Sequence, residues 1–370
     1  MRPLASRLPT ATPTNCGNLE GMSTIRQSYV RPLDLKHGRV DLSHGSGGRA
    51  MAQLIAELFA HYLGNEYLAQ GDDGARLPAV NGRLVMSTDA HVVSPLFFPG
   101  GDIGCLSVHG TINDVAVMGA RPLYLAAGFI LEEGFPLADL ARIVESMARA
   151  AREAGVPVVT GDTKVVERGK ADGVFITTCG VGVLRQGVDL SGANARPGDA
   201  VLISGPIGDH GMAIMSLREG LEFATTIESD TAALHGLIET MLDAIPEIRV
   251  LRDPTRGGLA TTLNEIAKQS SVGIMLEEAA VPVHAQVAAA CELLGLDPLY
   301  VANEGKLVVV CAAESVPRLL AVMQAHPLGI EAVRIGEVIA DQRQFVQMRT
   351  RLGGRRIVDW LTGEQLPRIC

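Results

Sequence analysis

Apolar positions along this chain recur in two alternating spacings. Stripes at three- and four-residue intervals, the period of an α-helix, run through Met51, Leu54, Ile55, Leu58, Phe59 and Tyr62, then through 102–118 (Ile103, Leu106, Val115, Met118) and 137–154. Between them, short apolar runs bounded by turn residues predict strands at 83–89, 122–131, 156–159 and 174–183. A stretch rich in helix and strand breakers follows, from Gly192 to Pro197, Gly198 and Asp199. Beyond it the alternation resumes: strand 200–204, helices around 211–220 and 230–243, and a helix opened by residues 252–258. Strand 273–276, helix 284–295, strand 306–311, helix 315–325 and strand 332–338 complete the series. The pattern predicts an α+β protein of two domains, residues 39–192 (α/β in character) and 199–341, with a C-terminal segment at 342–370. Residues 1–38 carry Pro, Ser, Thr and Arg without periodicity and predict an extended, poorly ordered arm, with Met22 as an alternative start.

Composition narrows the classes. A length of 370 residues with 47% hydrophobic content supports large cores and exceeds one ordinary domain. A formal net charge of −9 argues against nucleic acid as partner, since that surface rewards clustered Lys and Arg. No apolar run approaches the roughly 18 residues of a membrane helix. Six cysteines (Cys16, Cys105, Cys179, Cys291, Cys311, Cys370) form no CxxC pair, and no apolar leader opens the chain, which predicts a reduced, cytoplasmic protein. Cys105, Cys179, Cys291 and Cys311 lie in apolar elements and read as small core residues.

The candidate chemistry begins at His44-Gly45-Ser46-Gly47-Gly48, a glycine loop feeding a predicted helix N-terminus, where backbone N–H groups suit a phosphate; alone it reads equally as a plain turn. Downstream, Asp72 and Asp73 share a turn, Asp89 ends a strand, Asp114 follows Asn113 on a helix whose interior disfavours both, and Asp162 follows a buried strand. Such hard oxygen ligands after a phosphate loop suit nucleotide-bound Mg²⁺; the alternative is five independent solvated acids. Asn303-Glu304-Gly305-Lys306 reads by default as an exposed charged turn. At the terminus, Pro367-Arg368-Ile369-Cys370 reads as a frayed end or as a thiol on a tether. From Leu361 the tether reaches about 30 Å if extended.

Taken together these motifs resemble the HypE family of hydrogenase maturation proteins. That family lies within the superfamily of aminoimidazole ribonucleotide synthetase, selenophosphate synthetase and thiamine-monophosphate kinase. The resemblance runs from about His37 to Cys370. It rests on HGSGGRAM (44–51), STD (87–89), PLFFPGGDIG (95–104), NDVAV (113–117), GFILEEG (128–134), VTGDTKVV (159–166), GDHG (208–211), RDPTRGGL (252–259), NEGKL (303–307) and the final PRIC. It implies a homodimer whose N-terminal domains join strands in a barrel, an α+β C-terminal domain and a flexible tail. It implies ATP and Mg²⁺ as cofactors, with Gly45, Ser46, Gly47, Gly48, Asn113 and Thr163 at the nucleotide and Asp72, Asp73, Asp89, Asp114 and Asp162 at the metal.

The activity implied is acceptance of a carbamoyl group on Cys370 from a HypF-like carbamoyltransferase. ATP-dependent dehydration to a thiocyanate and cyanide donation to a HypC–HypD-like iron scaffold follow. Removing an amide oxygen calls for its phosphorylation, and removing two N–H protons calls for a base; Glu304 is the candidate base and Lys164 the candidate holder of phosphoryl charge. Two rival readings remain: a selenophosphate synthetase-like kinase, for which Cys16 is the only N-terminal thiol, and a non-catalytic ATP-binding assembly scaffold.

Overall fold

In a computed structural model of the chain, residues 31–221, 226–363 and 368–370 are described, and Leu33–Cys370 form one unit. The Cys16 thiol, and with it most of the expected N-terminal arm, lies outside the described residues. Helix α1 (Arg49–Leu54) continues through a wider turn, Ile55–Phe59, into α2 (Ala60–Leu63). Strand β1 (Leu84–His91), the short pair β2 (Phe97–Phe98) and β3 (Gly101–Asp102), and helix α3 (Ile103–Val117) come next. Then follow β4 (Ala120–Glu132), α4 (Leu137–Ala154), β5 (Val158–Val166) and β6 (Val174–Leu184). The long strands form a sheet in the order β1-β6-β4-β5, antiparallel except for β4 and β5, which run parallel because α4 carries the chain back between them.

Helix α3 is apolar nearly all round, so it is buried nearly all round. Asp102 caps it, its Oδ1 accepting from the N–H groups of Gly104 (2.8 Å) and Cys105 (3.2 Å). At Gly104 the backbone of α4 comes so close that a Cβ would sit 2.1 Å from the Ile143 carbonyl oxygen. Ile103, Leu106 and Ile112 of α3 join the core under the first sheet, whereas Ala116 and Val117 join a core of the second half. One helix therefore belongs to both.

The second half contains β7 (Ala200–Ile203), α5 (Asp209–Arg218), α6 (His235–Ala244), β8 (Val250–Arg252), α7 (Gly258–Ser270), β9 (Gly273–Glu277) and α8 (Ala285–Leu294). It ends with β10 (Val308–Cys311), α9 (Val316–Gln324), β11 (Val333–Ile339), β12 (Val346–Arg349) and β13 (Arg355–Ile357). Its sheet runs β13-β12-β9-β11-β7-β10-β8. Val201, Ile203, Val308 and Val310 pack with Leu259, Leu263 and Ile266 of α7 on one face. Ala200, Leu202 and Val309 pack with Leu237 and Met241 of α6 and Leu319 of α9 on the other. Burial on both faces is why these strands read as unbroken apolar runs.

The structure departs from the sequence expectation in four places. The strand expected at 156–159 extends through Asp162 and Lys164 to Val166, because β4 supplies it with a parallel partner for its whole length. The helix expected at 230–243 starts only at His235, since residues 230–234 are drawn into the site described below. Strands β8, β12 and β13 were not expected; β12 pairs parallel to β9, so the second sheet continues past residue 341. The last three residues, expected to be a flexible end, are seated in the body of the protein.

Leu140 of α4 is fully buried and Leu293 of α8 is 71% exposed. Leu140→Ala should lower stability by about 2–5 kcal/mol in urea unfolding, and Leu293→Ala by less than about 0.5 kcal/mol.

Candidate active site

The site is assembled around the final three residues. The Val92 N–H donates to the Cys370 backbone oxygen (3.0 Å) and the Ser94 N–H donates to the Arg368 oxygen (3.1 Å). The tail thus adds to the segment after β1 in the alternating manner of an antiparallel strand. His210, in the first turn of α5, places Nε2 2.9 Å from the Ile369 oxygen. A carbonyl only accepts, so Nε2 carries the hydrogen, and Nδ1 faces the Ser229 hydroxyl at 2.7 Å. Burial holds the His210 pKa below its ordinary value, which keeps the ring neutral. Arg218, at the far end of α5, donates to the carbonyl oxygens of both Ser94 and Arg368. Arg368 pairs with Asp172 at 3.0 Å, and Ile369 is 3% exposed within the first core.

The charged turn at 303–306 is buried, contrary to the default reading of the sequence, with Asn303 at 0% and Glu304 at 3% exposure. Apart from the Glu304 carboxyl, its polar groups find partners inside the protein. Asn303 accepts from the Gly208 N–H (2.8 Å) and donates to the oxygens of Pro254 (2.9 Å) and Val301 (3.1 Å). Asn113 of α3 accepts from the Leu234 N–H (2.7 Å) and donates to the Ala232 oxygen (3.0 Å) and the Glu304 oxygen (3.4 Å). The Glu304 N–H donates to Asp230 Oδ1 (3.1 Å), and Lys306 lies 3.4 Å from Asp230 Oδ2. A Cβ at Gly305 would stand 1.7 Å from the Asp230 carbonyl oxygen, so only glycine fits there.

Glu304 Oε1 is buried with no hydrogen-bond partner. Burial first, then the charges of Asp253, Asp230, Asp89 and Asp114, raise the Glu304 pKa well above the carboxylate range. Asp253, by burial and then the charge of Asp114, is pushed up to about 7. Asp114 is raised by burial, against the Ser87 hydroxyl that donates to its Oδ2 at 2.7 Å. The Cys370 thiol is raised above its ordinary 9.0, chiefly by burial and next by the charge of Glu304, with Arg256 opposing. On α3, Gly110 keeps a side chain out of the space bordered by His91, Asp89 and Glu304. A Cβ there would lie 3.2 Å from His91 Cε1, 3.4 Å from Asp89 Oδ2 and 3.9 Å from Glu304 Oε2. These surroundings hold the sulfur as a neutral thiol, which makes it a poor nucleophile while seated.

The other residues singled out in the sequence fall elsewhere. Asp89 pairs across the sheet with Thr178, Thr178 with Ala127 and Ala127 with Gly161, so β1 and β5 are separated by two strands, on the order of 14 Å. Asp89 shares its side of the sheet with buried Ala127, whereas Asp162 and Lys164 lie opposite Gly128 and Ile130 on the other side and are exposed. Lys164 Nζ is 2.9 Å from Asp162 Oδ2. Asp72 and Asp73 are on an exposed bend, with Asp72 2.7 Å from Arg76. Among the described residues no three His, Cys, Asp or Glu side chains converge to hold a metal, so the five acids do not form one cradle within a chain; Asp89 and Asp114 alone come together.

The glycine loop lies against β5, where a Cβ at Gly45 would meet the Val165 nitrogen at 2.6 Å. Ser46, Gly47 and Gly48 lead into α1, and Met51, Ile55, Phe59, Phe129, Asp162 and buried Thr163 line an adjoining pocket of about 160 Å³. Asn113, expected at the nucleotide, is committed to the backbone contacts above. Asp253, Asp230, His210, Arg218, Arg256 and Gly110 were not singled out as site residues. For Asp253, Arg256 and His210 the signal was present, since they sit inside the motifs RDPTRGGL and GDHG.

Comparison with known proteins gives a consistent picture. The model of the AIR synthase related protein N-terminal domain matches residues 71–184, and that of the C-terminal domain matches residues 196–349. A carbamoyl dehydratase HypE of Cupriavidus necator is 70% identical over 348 residues, covering 94% of this chain and 99% of its own length. The crystal structure of hydrogenase maturation protein HypE in complex with ATP superposes with a TM-score of 0.86 at 53% identity, covering 89% of this chain and 99% of that one. In a crystal structure of a HypE–HypF complex, the matching chain gives a TM-score of 0.74 at 52% identity, covering 83% and 99%.

The seated thiol has a pH signature. Its raised pKa means that seating is at full strength below pH 9.0 and weakens as pH rises above that value, because only the released thiol ionises freely. At about pH 8, iodoacetamide should alkylate Cys370 of the folded protein at least tenfold more slowly than in the unfolded chain, and peptide mapping should show the gap closing as pH climbs past 9.0. Equal rates at about pH 8 would mean that the thiol is not seated.

Proposed function

The chain belongs to the HypE family of AIR synthase related proteins, and on that basis we propose that it is an ATP-dependent carbamoyl dehydratase whose substrate rides on its own Cys370. The observation that carries this reading is the seating of Cys370 against buried Glu304 beside the gap at Gly110. The carbamoyl oxygen takes the terminal phosphoryl group of ATP. The C–O bond then breaks as the carbon–nitrogen triple bond forms, and the oxygen departs in phosphate. Two N–H protons leave the nitrogen; Glu304 is the acceptor we assign to one of them, and the other passes to the departing phosphate. A carboxyl with a raised pKa is a strong base once ionised, so dehydration should speed up as pH rises through the titration of this acid cluster.

The glycine loop at 45–48, Thr163, Lys164 and the pocket beside α1 fit a nucleotide: backbone N–H groups at a helix start, one exposed ammonium and an apolar wall. A solved relative is a complex with ATP, which supports nucleotide binding by this chain. Asp89 and Asp114, whose mutual repulsion a cation would relieve, fit Mg²⁺, which supplies charge neutralisation for the phosphates when bound. Lys164 and Cys370 belong to different parts of one chain. The edge strand β1 presents Leu84 and Met86, 62% and 71% exposed, which supports a homodimer in which paired sheets bring the two parts together. A HypF-like carbamoyltransferase is the proposed carbamoyl donor, supported by the relative's complex, and a HypC–HypD-like iron scaffold the proposed cyanide acceptor. The reduced, scattered cysteines favour the cytoplasm as its place of action.

Intact-mass analysis after incubation with ATP, carbamoyl phosphate and the carbamoyltransferase tests the reading. The wild-type chain should gain one carbamoyl group and then lose one water. Cys370→Ala should bind ATP and gain nothing; a carbamoyl adduct on it would sink the assignment. Glu304→Gln should be carbamoylated yet dehydrate about 100-fold more slowly or worse.

A further inference from the structure

The tail has two destinations: the reading above places its sulfur at a partner's transfer site and then in this pocket. The seat must therefore hold and release, and its contacts divide unequally. Val92 and Ser94 contribute backbone N–H groups, and His210 is fixed by Ser229 and by the edge of the Phe98 ring, 5.5 Å between centroids. Arg218 differs in gripping both sides. Its Nη2 reaches the Ser94 oxygen (2.5 Å) on the seat and the Arg368 oxygen (3.0 Å) on the tail, with Nε also on Ser94 (3.2 Å). A guanidinium bridging two carbonyls makes charge-assisted bonds with fixed geometry. Arg368 sits at φ 56°, a left-handed conformation that non-glycine residues keep only when neighbours impose it. The stapled carbonyl belongs to that same residue, and the bond lies on the exposed side of the seat.

We propose that Arg218 is the latch of the carrier tail, a positioning residue that sets the balance between the seated Cys370 and the released one. His210 and Arg218 hold successive tail carbonyls from opposite ends of α5, so this helix is the clasp. The proposal rests on the carrier reading for its catalytic consequences, though not for the seating itself.

The test uses Arg218→Met in the full chain, which keeps the aliphatic stem, with Arg334→Met as a comparison that removes an exposed arginine and its ion pair to Glu337 in the second sheet. Three rates are read: alkylation of Cys370 by iodoacetamide, carbamoylation by the carbamoyltransferase, and single-turnover dehydration of the pre-carbamoylated chain. Arg218→Met should alkylate and carbamoylate about tenfold faster and dehydrate about tenfold more slowly, because a larger released fraction helps the first two and starves the third. Arg334→Met should change each by less than about threefold. General damage to the fold would slow both enzymatic steps while exposing the thiol, and would overturn the latch. So would alkylation unchanged in Arg218→Met. Faster alkylation with a wild-type chain that never gains a carbamoyl group would instead leave the latch standing and remove the function assigned above.

Discussion

Two buried asparagines make the site possible. Asn303 and Asn113 satisfy the backbone of residues 208, 232, 234, 254, 301 and 304, and that permits a loop carrying a carboxyl group to lie inside the protein. An unpaired buried backbone group would cost about 1–3 kcal/mol each time, so without these amides the loop would turn outward to water. With them, the Glu304 carboxyl stays buried with one oxygen unpartnered. The asparagines also tie α3 of the first half to the loops of the second, so the geometry of the acid cluster depends on both cores at once.

That cluster is electrostatically unfavourable by construction. Burial, and then neighbouring negative charge, raises the pKa of Asp114, Asp253 and Glu304, with the charge of Asp89 acting on all three, and Arg256 is the cation that opposes this charge at the thiol. Repulsion of this kind is retained where chemistry uses it, and here it leaves carboxyl groups that hold protons near neutrality. Burial, and next the charge of Glu304, keeps the seated sulfur neutral. A thiol with this property reacts when released and is inert when seated.

The sequence carried the elements further than it carried the site. α4 shows its stripe and its terminal glycine, Gly155, and matches the expected residues 137–154. α3 and the long strands lie within two residues of expectation at most ends. The misses share a cause: the signal lay in the partner. β5 extends because β4 offers a register, β12 forms because β9 does, and β13 because β12 does. The Asn303–Lys306 turn reads as exposed because nothing in Asn-Glu-Gly-Lys announces that the distant Asn113 will bond its backbone. The acids looked convergent because each stands at a plausible position, and only strand order shows that Asp89 and Asp162 occupy opposite edges and opposite sides of a sheet.

What the chain determined by itself was which residues are available: the apolar periods that build two sheets with their helices, the glycines that allow close approach, and the motifs that carry family membership. Those are properties of neighbours in sequence, and hydrophobic burial reads them directly. What only the tertiary structure decided was which polar groups meet. The seat of Cys370 draws Val92, Ser94, His210, Arg218 and Glu304 from points more than 200 residues apart. Whether such groups are satisfied, repelled or left open depends on distances of a few ångströms that no local spacing encodes.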